Sequence, residues 1–165
     1  MSKDMREIKI EKVVLSVGGT EDKLEKGIKL LELITGAKAS KMKTRKRIPS
    51  LNVRPKLNVG AVITLRRDTE ALLKRLLASV ENRLRRKQIS ENTFSFGIKE
   101  YIEIPGMEYQ RDLGILGLDV TVTFSRAGKR IQLRKVGKKI LPVKQRVSRE
   151  EIIKYMEEKF QTNFR

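Results

Sequence analysis

The sequence predicts an α+β fold: a mixed or antiparallel sheet with helices packed on one face, a two-layer sandwich with additional basic extended loops. Several short segments alternate apolar and polar residues as strands do, and two long segments place apolar residues at helical spacing. Hydrophobic residues make up 39% of the 165 residues, which is enough to bury a core without disulfides. No internal repeat or linker divides the sequence, so we expect a single domain over residues 1–165.

The N-terminal third predicts a strand, a helix and a basic strand. Residues 8–17 alternate apolar and polar side chains in two registers, as in a strand interrupted by a bulge or bend. Residues 18–20 then turn the chain. Thr20 can cap a helix whose first turn is acidic, and Gly36 fits the C-terminal stop of that helix. A basic strand is expected near residues 39–45.

The middle of the chain predicts one long helix between strands. Residues 59–65 are predicted as a strand, and residues 68–86 carry the clearest apolar stripe at helical spacing. Short strands are expected near residues 94–98 and 101–104, followed by a connection rich in Gly and Pro. Alternate apolar side chains of residues 118–124 share one face, which predicts a further strand.

The last helix has the clearest start signal in the sequence. Ser148 and Glu151 match a capping box, in which both side chains bond to backbone N–H groups of the first turn. Ile152, Met156 and Phe160 supply one apolar side. We therefore expect a helix that begins directly after Ser148.

The distribution of charge is the most informative property of the sequence. Lys and Arg number 38 against 20 Asp and Glu, which gives a formal net charge of +18. Two windows without acidic residues, 33–67 and 120–149, each hold ten cations, so the rest of the chain is nearly balanced. Because a solvated surface would mix the two signs, this segregation predicts a dedicated polyanion-binding face. The cations are Lys38, Lys41, Lys43, Arg45, Lys46, Arg47, Arg54, Lys56, Arg66 and Arg67, then Arg126, Lys129, Arg130, Arg134, Lys135, Lys138, Lys139, Lys144, Arg146 and Arg149.

Nucleic acid is the polyanion that this pattern favours, although a basic balance alone also fits a membrane surface or an acidic protein. Lys and Arg neutralise phosphates and release condensed counterions, and Arg adds a planar fork suited to phosphate. No aromatic residue, of the kind that stacks on single-stranded bases, lies among the cations of either window. Recognition of folded RNA through shape and backbone is therefore expected.

Other function classes find little support in the sequence. The chain has no Cys and no His, which removes disulfides, thiolate metal sites and the commonest general base and metal ligand. No catalytic residue, metal or cofactor is therefore expected. The Gly-Gly-Thr at residues 18–20 lacks the Lys-Ser/Thr ending of a phosphate-binding loop and is interpreted as a turn. A charged start and the lack of an apolar run of ~20 residues predict a cytoplasmic protein that does not cross a membrane.

Four stretches of the sequence carry a resemblance to a known family. They are LITGAKASKMKTRK at residues 33–46, VGAVITLRR at 59–67, FSFGIKEYIEIPG at 94–106 and LGILGLDVTVTFSRAG at 113–128. Together they resemble the universal large-subunit ribosomal protein L-five family over nearly the whole chain. The basic continuation and the terminal VSREE look like the archaeal and eukaryotic branch of that family, whose eukaryotic name is L-eleven.

The resemblance implies an α+β structural constituent of the large ribosomal subunit, in the central protuberance, without enzymatic activity. Members of the family bind 5S rRNA and large-subunit rRNA, lie near the ribosomal protein L-eighteen family, and reach the P-site tRNA with one loop. Here the basic loop 46–58 would contact tRNA, and a basic extension, residues 126–147, would follow rRNA. Expected rRNA-binding residues are Ser16, Lys38, Lys41, Lys43, Thr64, Arg66, Arg126, Lys129, Arg130, Arg134, Lys135, Lys138 and Lys139; expected tRNA-binding residues are Arg45, Lys46, Arg47, Ser50, Asn52, Arg54 and Lys56.

Three positions depart from the family's pattern. Ser16 stands where the family usually has asparagine, Ala37 where it often has glutamine, and Leu51 where many members carry phenylalanine. Ser16 can still donate and accept a hydrogen bond, whereas Ala37 cannot. The expected fold is unaffected, but the individual 5S rRNA contacts are left open.

Two rival functions stand beside this interpretation. A free-standing RNA chaperone or translation regulator of the same fold would remain largely off mature large subunits. An RNA-modifying or RNA-cleaving enzyme would need a catalytic constellation, for which the sequence offers no His or Cys. The extension 126–147 is expected to become ordered when it binds RNA, the alternative being a flexible, solvated loop.

Overall fold

The structure is a computed structural model that describes residues 6–51 and 53–165. Within these ranges, eight strands and four α-helices follow one another, with single 3-10 turns between some of them. In chain order they are β1 (Ile8–Gly18), α1 (Glu21–Thr35), β2 (Ser40–Lys43), β3 (Asn58–Leu65), α2 (Thr69–Ala78), β4 (Arg83–Leu84), β5 (Ile89–Ser90), β6 (Thr93–Ile98), β7 (Leu118–Arg126), α3 (Arg130–Leu133), α4 (Arg149–Phe160) and β8 (Asn163–Phe164).

Six of the described strands form one sheet in the order β2-β3-β1-β7-β6-β5, and β4 pairs with β8 in a separate parallel pair. The predicted α+β class is confirmed. By its contacts the chain divides into two compact units, each built from separated segments. We call residues 14–65 and 97–120 the hairpin unit, and residues 6–13, 66–96 and 121–165 the extension unit.

In the hairpin unit, α1 packs closely on β1 because a glycine stands at the contact. A Cβ atom at Gly27 would lie 2.9 Å from Cγ1 of Val17, so any larger residue would push the helix away. The helix ends where predicted, with Gly36 in the left-handed region at φ +66° and its N–H bonded to the carbonyl of Glu32. Thr20 occupies the N-cap position as predicted, but its side chain makes no capping hydrogen bond.

The strand predicted near residues 101–104 is also wrong. This segment is a 3-10 turn, Tyr101–Glu103, in which Tyr101 and Ile104 are both buried. Buried residues three apart suit a turn of this kind, whereas a strand would bury alternate residues. The phenol oxygen of Tyr101 accepts a 2.9 Å hydrogen bond from the backbone N–H of Gln110, which fixes the connection that follows.

In the extension unit, α2 ends at Ala78, eight residues before the predicted end at residue 86. Glu81 and Asn82 adopt positive φ angles of 53° and 55°, and the N–H of Asn82 returns to the carbonyl of Leu77 at 3.0 Å. Leu84 is then buried in the β4–β8 pair. Leu84, which seemed to continue the helix, therefore belongs to a long-range strand pairing.

Aromatic side chains fill much of the core of the extension unit. Phe94 stacks on Phe96 and on Phe124, with ring centroids 5.7 and 5.9 Å apart, and Tyr155 meets Phe124 edge to face. Tyr155 belongs to α4, which begins as predicted: both hydrogen bonds of the capping box between Ser148 and Glu151 are present. This cap fixes where the basic extension ends and the helix begins.

Candidate nucleic-acid interface

The first group of cations projects from an edge strand in the hairpin unit. β2 is the end strand of the six-stranded sheet in the described chain, and all four of its residues are exposed. Lys41 pairs with Ala61 and Lys43 with Asn58 on β3, with a register shift between Met42 and Lys43. Since the strand is covered on neither face, its two lysines are both open to a ligand. Lys38, just before the strand, is exposed as well.

The loop between β2 and β3 is held at its neck by Thr44. The Thr44 hydroxyl donates a 2.6 Å hydrogen bond to the carbonyl of Arg54, and its N–H donates to the carbonyl of Leu57 at 2.9 Å. The N–H of Lys56 in turn donates to the Thr44 carbonyl at 2.9 Å. Further out, Ile48 and Val53 form a two-way bridge with hydrogen bonds of 3.0 and 3.1 Å.

These bonds leave the charged side chains of the loop outside. The predicted tRNA-binding residues within the described ranges are exposed, and none of these cations lies within ion-pair distance of a carboxylate there. The exposed residues are Arg45, Lys46, Arg47, Ser50, Arg54 and Lys56. Asn52 lies outside the described residues.

Ser16 and Thr64 stand on the neighbouring strands β1 and β3 of the hairpin unit. Ser16 is half-buried between the buried Leu15 and Val17, and Thr64 is exposed beside the buried Ile63. Alternation along a strand therefore directs both hydroxyl groups away from the core. They give β1 and β3 hydrogen-bonding groups on the side of the sheet away from the core.

The second group of cations lies in the basic extension, residues 126–147, of the extension unit. Every residue from 130 to 140 is exposed, and α3 contributes a single short helix. Gly137, at φ +63°, forms a turn whose carbonyl accepts a 2.7 Å hydrogen bond from Nε of Arg134. The predicted residues that are exposed here are Arg130, Arg134, Lys135, Lys138 and Lys139. Arg66, in the same unit, is also exposed.

Arg126 and Lys129 are placed differently from the other predicted cations. The side chain of Arg126 is only 10% exposed; its guanidinium pairs with the carboxylate of Glu151 and donates to the Lys144 carbonyl at 3.0 Å. Lys129 pairs with Glu11. Both side chains are thus paired with carboxylates of the protein. Arg126 and Lys129 therefore stabilise the base of the extension and do not add to its exposed outer surface.

The surroundings of Glu151 shift the pKa of its carboxyl group. Burial raises its pKa, but the hydrogen bond from the Ser148 N–H and the neighbouring Arg126 guanidinium together lower that pKa below the ordinary value of 4.5. Glu151 therefore carries a negative charge at neutral pH and acts as a fixed counter-ion to Arg126.

An open cavity of about 340 Å³ lies at the base of the extension, within the extension unit. Arg126, Lys129 and Arg146 supply three cations to its lining, and no carboxylate lines it. Asn92, Gln132 and Gln145 add side-chain amides. All three cations pair with carboxylates outside this lining, Arg126 with Glu151, Lys129 with Glu11 and Arg146 with Glu91. The base of the extension is therefore charge-balanced, unlike its outer part.

Sequence reasoning missed two of the residues that shape these surfaces. Thr44 is a neutral residue inside a basic run, and a search for charge does not mark it. Asn92, whose amide oxygen accepts a 2.8 Å hydrogen bond from the N–H of Val147, is 55 residues from its partner. A short turn sequence such as Glu91-Asn92 is the only local signal at that position, and it says nothing about the distant partner.

Two other kinds of site are not found among the described residues. They contain no cluster of three or more Asp and Glu side chains that could hold a metal ion. No helix in the same ranges has the length and apolar character needed to cross a membrane.

Comparison with known proteins identifies the family. A model of the C-terminal part of the ribosomal L-five family matches residues 58–155. The large ribosomal subunit protein uL5 of Nanoarchaeum equitans is 38% identical over 162 residues, which is 96% of each chain. The uL5 proteins of Methanobrevibacter smithii and Pyrobaculum aerophilum are 35% and 38% identical, over 97% and 93% of this chain and 96% and 88% of their own. The chain therefore belongs to the ribosomal L-five family.

Proposed function

We propose that this chain joins 5S rRNA to large-subunit rRNA in the central protuberance and contacts P-site tRNA through the loop 46–58. As a member of its family it is a structural, non-enzymatic protein of the large ribosomal subunit. The finer assignment, to particular RNAs and to a neighbour from the L-eighteen family, is our proposal.

One observation supports an RNA partner above all: among its described residues, the cations of the hairpin unit are exposed, and none of them pairs with a carboxylate. A cation already held by a carboxylate gains little from a phosphate, because the existing pair must first be broken. Among the described residues, the cations of β2 and of the loop, from Lys41 to Lys56, have no carboxylate partner. No ion pair must therefore be broken before they bind a phosphate. They are free to displace counterions from an RNA backbone.

The sheet surface supports the choice of 5S rRNA. Ser16 and Thr64 offer hydroxyl groups that can donate and accept. Lys41 and Lys43, on the end strand of the same sheet, can neutralise phosphate. Hydroxyl groups of this kind suit the ribose 2′-OH and base edges of a folded RNA minor groove. Ala37 contributes no polar side chain, so we expect fewer 5S contacts here than in relatives with glutamine.

The neck of the loop supports the tRNA contact. A loop that stays in one conformation loses little entropy when it binds, and the bonds of Thr44 restrict this loop at its base. Its charged side chains remain outside, where the backbone of a tRNA could meet them.

Binding of the purified protein to its own 5S rRNA, compared with a tRNA-sized control RNA across a salt series, tests the proposal. We expect tight, selective 5S binding that persists at moderate salt, despite Ser16 and Ala37. Equal and salt-labile binding to both RNAs would mean that the charge is used but that 5S selectivity comes from partner proteins or the assembled subunit.

A second measurement separates the ribosomal role from a free-standing chaperone or regulator. Sedimentation of a cell extract should place nearly all of the protein with large subunits. A protein found mainly in the light fractions would favour the chaperone.

A further inference from the structure

The basic extension is closed at its base by bonds between residues far apart in the chain. Nη1 of Arg126 donates to the carbonyls of Lys144 and Arg146, at 3.0 and 3.4 Å. Nε2 of Gln145 donates to the carbonyl of Ala127 at 3.0 Å. The two ends of the extension are therefore fastened directly to each other, and the residues between them form a closed loop.

The fastened ends are also attached to the core of the extension unit. The N–H and carbonyl of Val147 bond to the side-chain oxygen and N–H of Asn92, and the Asn92 carbonyl accepts a 2.7 Å bond from the N–H of Phe124. On the other side, the guanidinium of Arg126 is held by Glu151 of α4. Asn92 has φ +60°, a conformation that asparagine adopts more readily than most residues.

We propose that Arg126 and Glu151 are positioning residues, which form an internal clasp that presents the basic extension to RNA in a preformed shape. This inference rests on the proposed function, because it concerns how the same surface meets its RNA. Arg126 does not itself serve as a phosphate contact, and the contacts come from the exposed cations between residues 130 and 139.

The clasp explains why an acidic residue benefits a surface that binds a polyanion. Arg126 is nearly covered, and a buried guanidinium without a carboxylate would be costly. Glu151 holds one terminal nitrogen of that guanidinium, and the other terminal nitrogen bonds to the base of the extension. The loop is then ordered by the folded protein, and RNA does not have to supply that ordering.

The clasp and simple electrostatics predict opposite effects of one substitution on the affinity for RNA. Simple electrostatics predicts that Glu151→Gln, which removes a negative charge, strengthens binding to RNA. The clasp predicts weaker binding, by about three- to tenfold, the scale of ordering one or two flexible side chains. Affinity for a 5S rRNA transcript is measured for the folded proteins, together with trypsin cleavage sites mapped by mass spectrometry.

Two control variants isolate the clasp. Glu150→Gln makes the same change of charge on the adjacent, exposed residue of α4. Ser148→Ala removes the side-chain oxygen that accepts from the Glu151 N–H and caps α4, without touching the guanidinium of Arg126. Cleavage within the loop 46–58, which is rich in Lys and Arg, serves as an internal reference for trypsin in each sample.

The expected result is weaker binding and faster cleavage at residues 129–139 for Glu151→Gln alone. Binding as tight as that of the unaltered protein, with unchanged cleavage, would overturn the clasp. If Ser148→Ala weakened binding and speeded cleavage equally, fraying of α4 would account for both effects. That result would also overturn the clasp. If the unaltered protein does not bind 5S rRNA, the proposed function fails. The cleavage pattern still tests whether Arg126 and Glu151 order the extension.

Discussion

The hydroxyl of Thr44 reaches across the neck of the loop 46–58 and donates a 2.6 Å hydrogen bond to the carbonyl of Arg54. The two residues are ten apart in sequence, and of the described side chains between them only that of Val53 is buried. Together with the backbone bonds of Thr44 to Leu57 and Lys56, this contact fixes where the hairpin ends and the exposed loop begins.

Thr44→Val should loosen this neck while keeping the size and branching of the side chain. We expect a loss of about 1 kcal/mol of unfolding free energy, as for one hydrogen bond. Amide exchange at Lys56, whose N–H bonds to Thr44, should become faster. Thr64→Val is the matched control, because Thr64 is exposed and makes no side-chain hydrogen bond within the described ranges. Unchanged exchange at Lys56 would show that the hydroxyl does not restrain the loop.

Gly117→Ala should destabilise the hairpin unit. A Cβ atom there would lie 2.7 and 2.8 Å from the carbonyl oxygens of Lys99 and Ile98, which are backbone atoms that cannot swing aside. We expect a loss of about 1–3 kcal/mol in urea unfolding. Gly18→Ala makes the same chemical change with nothing within 4 Å of the new atom, and should be neutral or slightly stabilising. Equal effects of the two variants would contradict this account.

Glu151→Gln should also change the dependence of stability on pH. Because its folded-state pKa lies below 4.5, the Glu151 carboxylate stabilises the fold fully above that value. This contribution is lost as the pH falls through the lowered pKa. The difference in unfolding free energy between the two proteins should therefore be largest at neutral pH and shrink in acid. A difference that stays constant on acidification would show that the charge of Glu151 is not involved.

Replacing Lys41 and Lys43 together by Gln should reduce the salt dependence of 5S rRNA binding. Each cation that contacts a phosphate contributes about one unit to the slope of log affinity against log salt, so a decrease of about two is expected. Lys74→Gln, an exposed lysine of α2 outside both basic windows, should leave the slope unchanged. A double variant with the slope of the unaltered protein would remove β2 from the RNA interface.

The sequence predicted best the features that are encoded by neighbouring residues. The capping box of Ser148 and Glu151 and the stop at Gly36 both act within one helical turn, and both are confirmed. The end of α2 was wrong because Leu84 pairs with a strand eighty residues later, which no local spacing reveals. Tyr101 was misassigned because a 3-10 turn and a strand both bury apolar residues at short spacing.

The same limit applies to the candidate site. Counting charges identified every exposed cation of the loop and the extension, because the charge of a side chain is a property of its own residue. It could not distinguish Arg126 from Arg130, since the difference lies in Glu151, 25 residues away from Arg126. Charge therefore predicts a candidate RNA-binding surface, and only the fold separates cations that face solvent from those that hold the protein together.

The exposure of β2 has a consequence for the free protein before it meets RNA. A strand at the end of a sheet leaves one row of backbone N–H and carbonyl groups available to a strand from another molecule, and this promotes aggregation. Lys41 and Lys43 lie on that strand, so two molecules that paired edge to edge would bring four like charges together. We therefore expect these two lysines to disfavour edge-to-edge pairing between free copies of the chain.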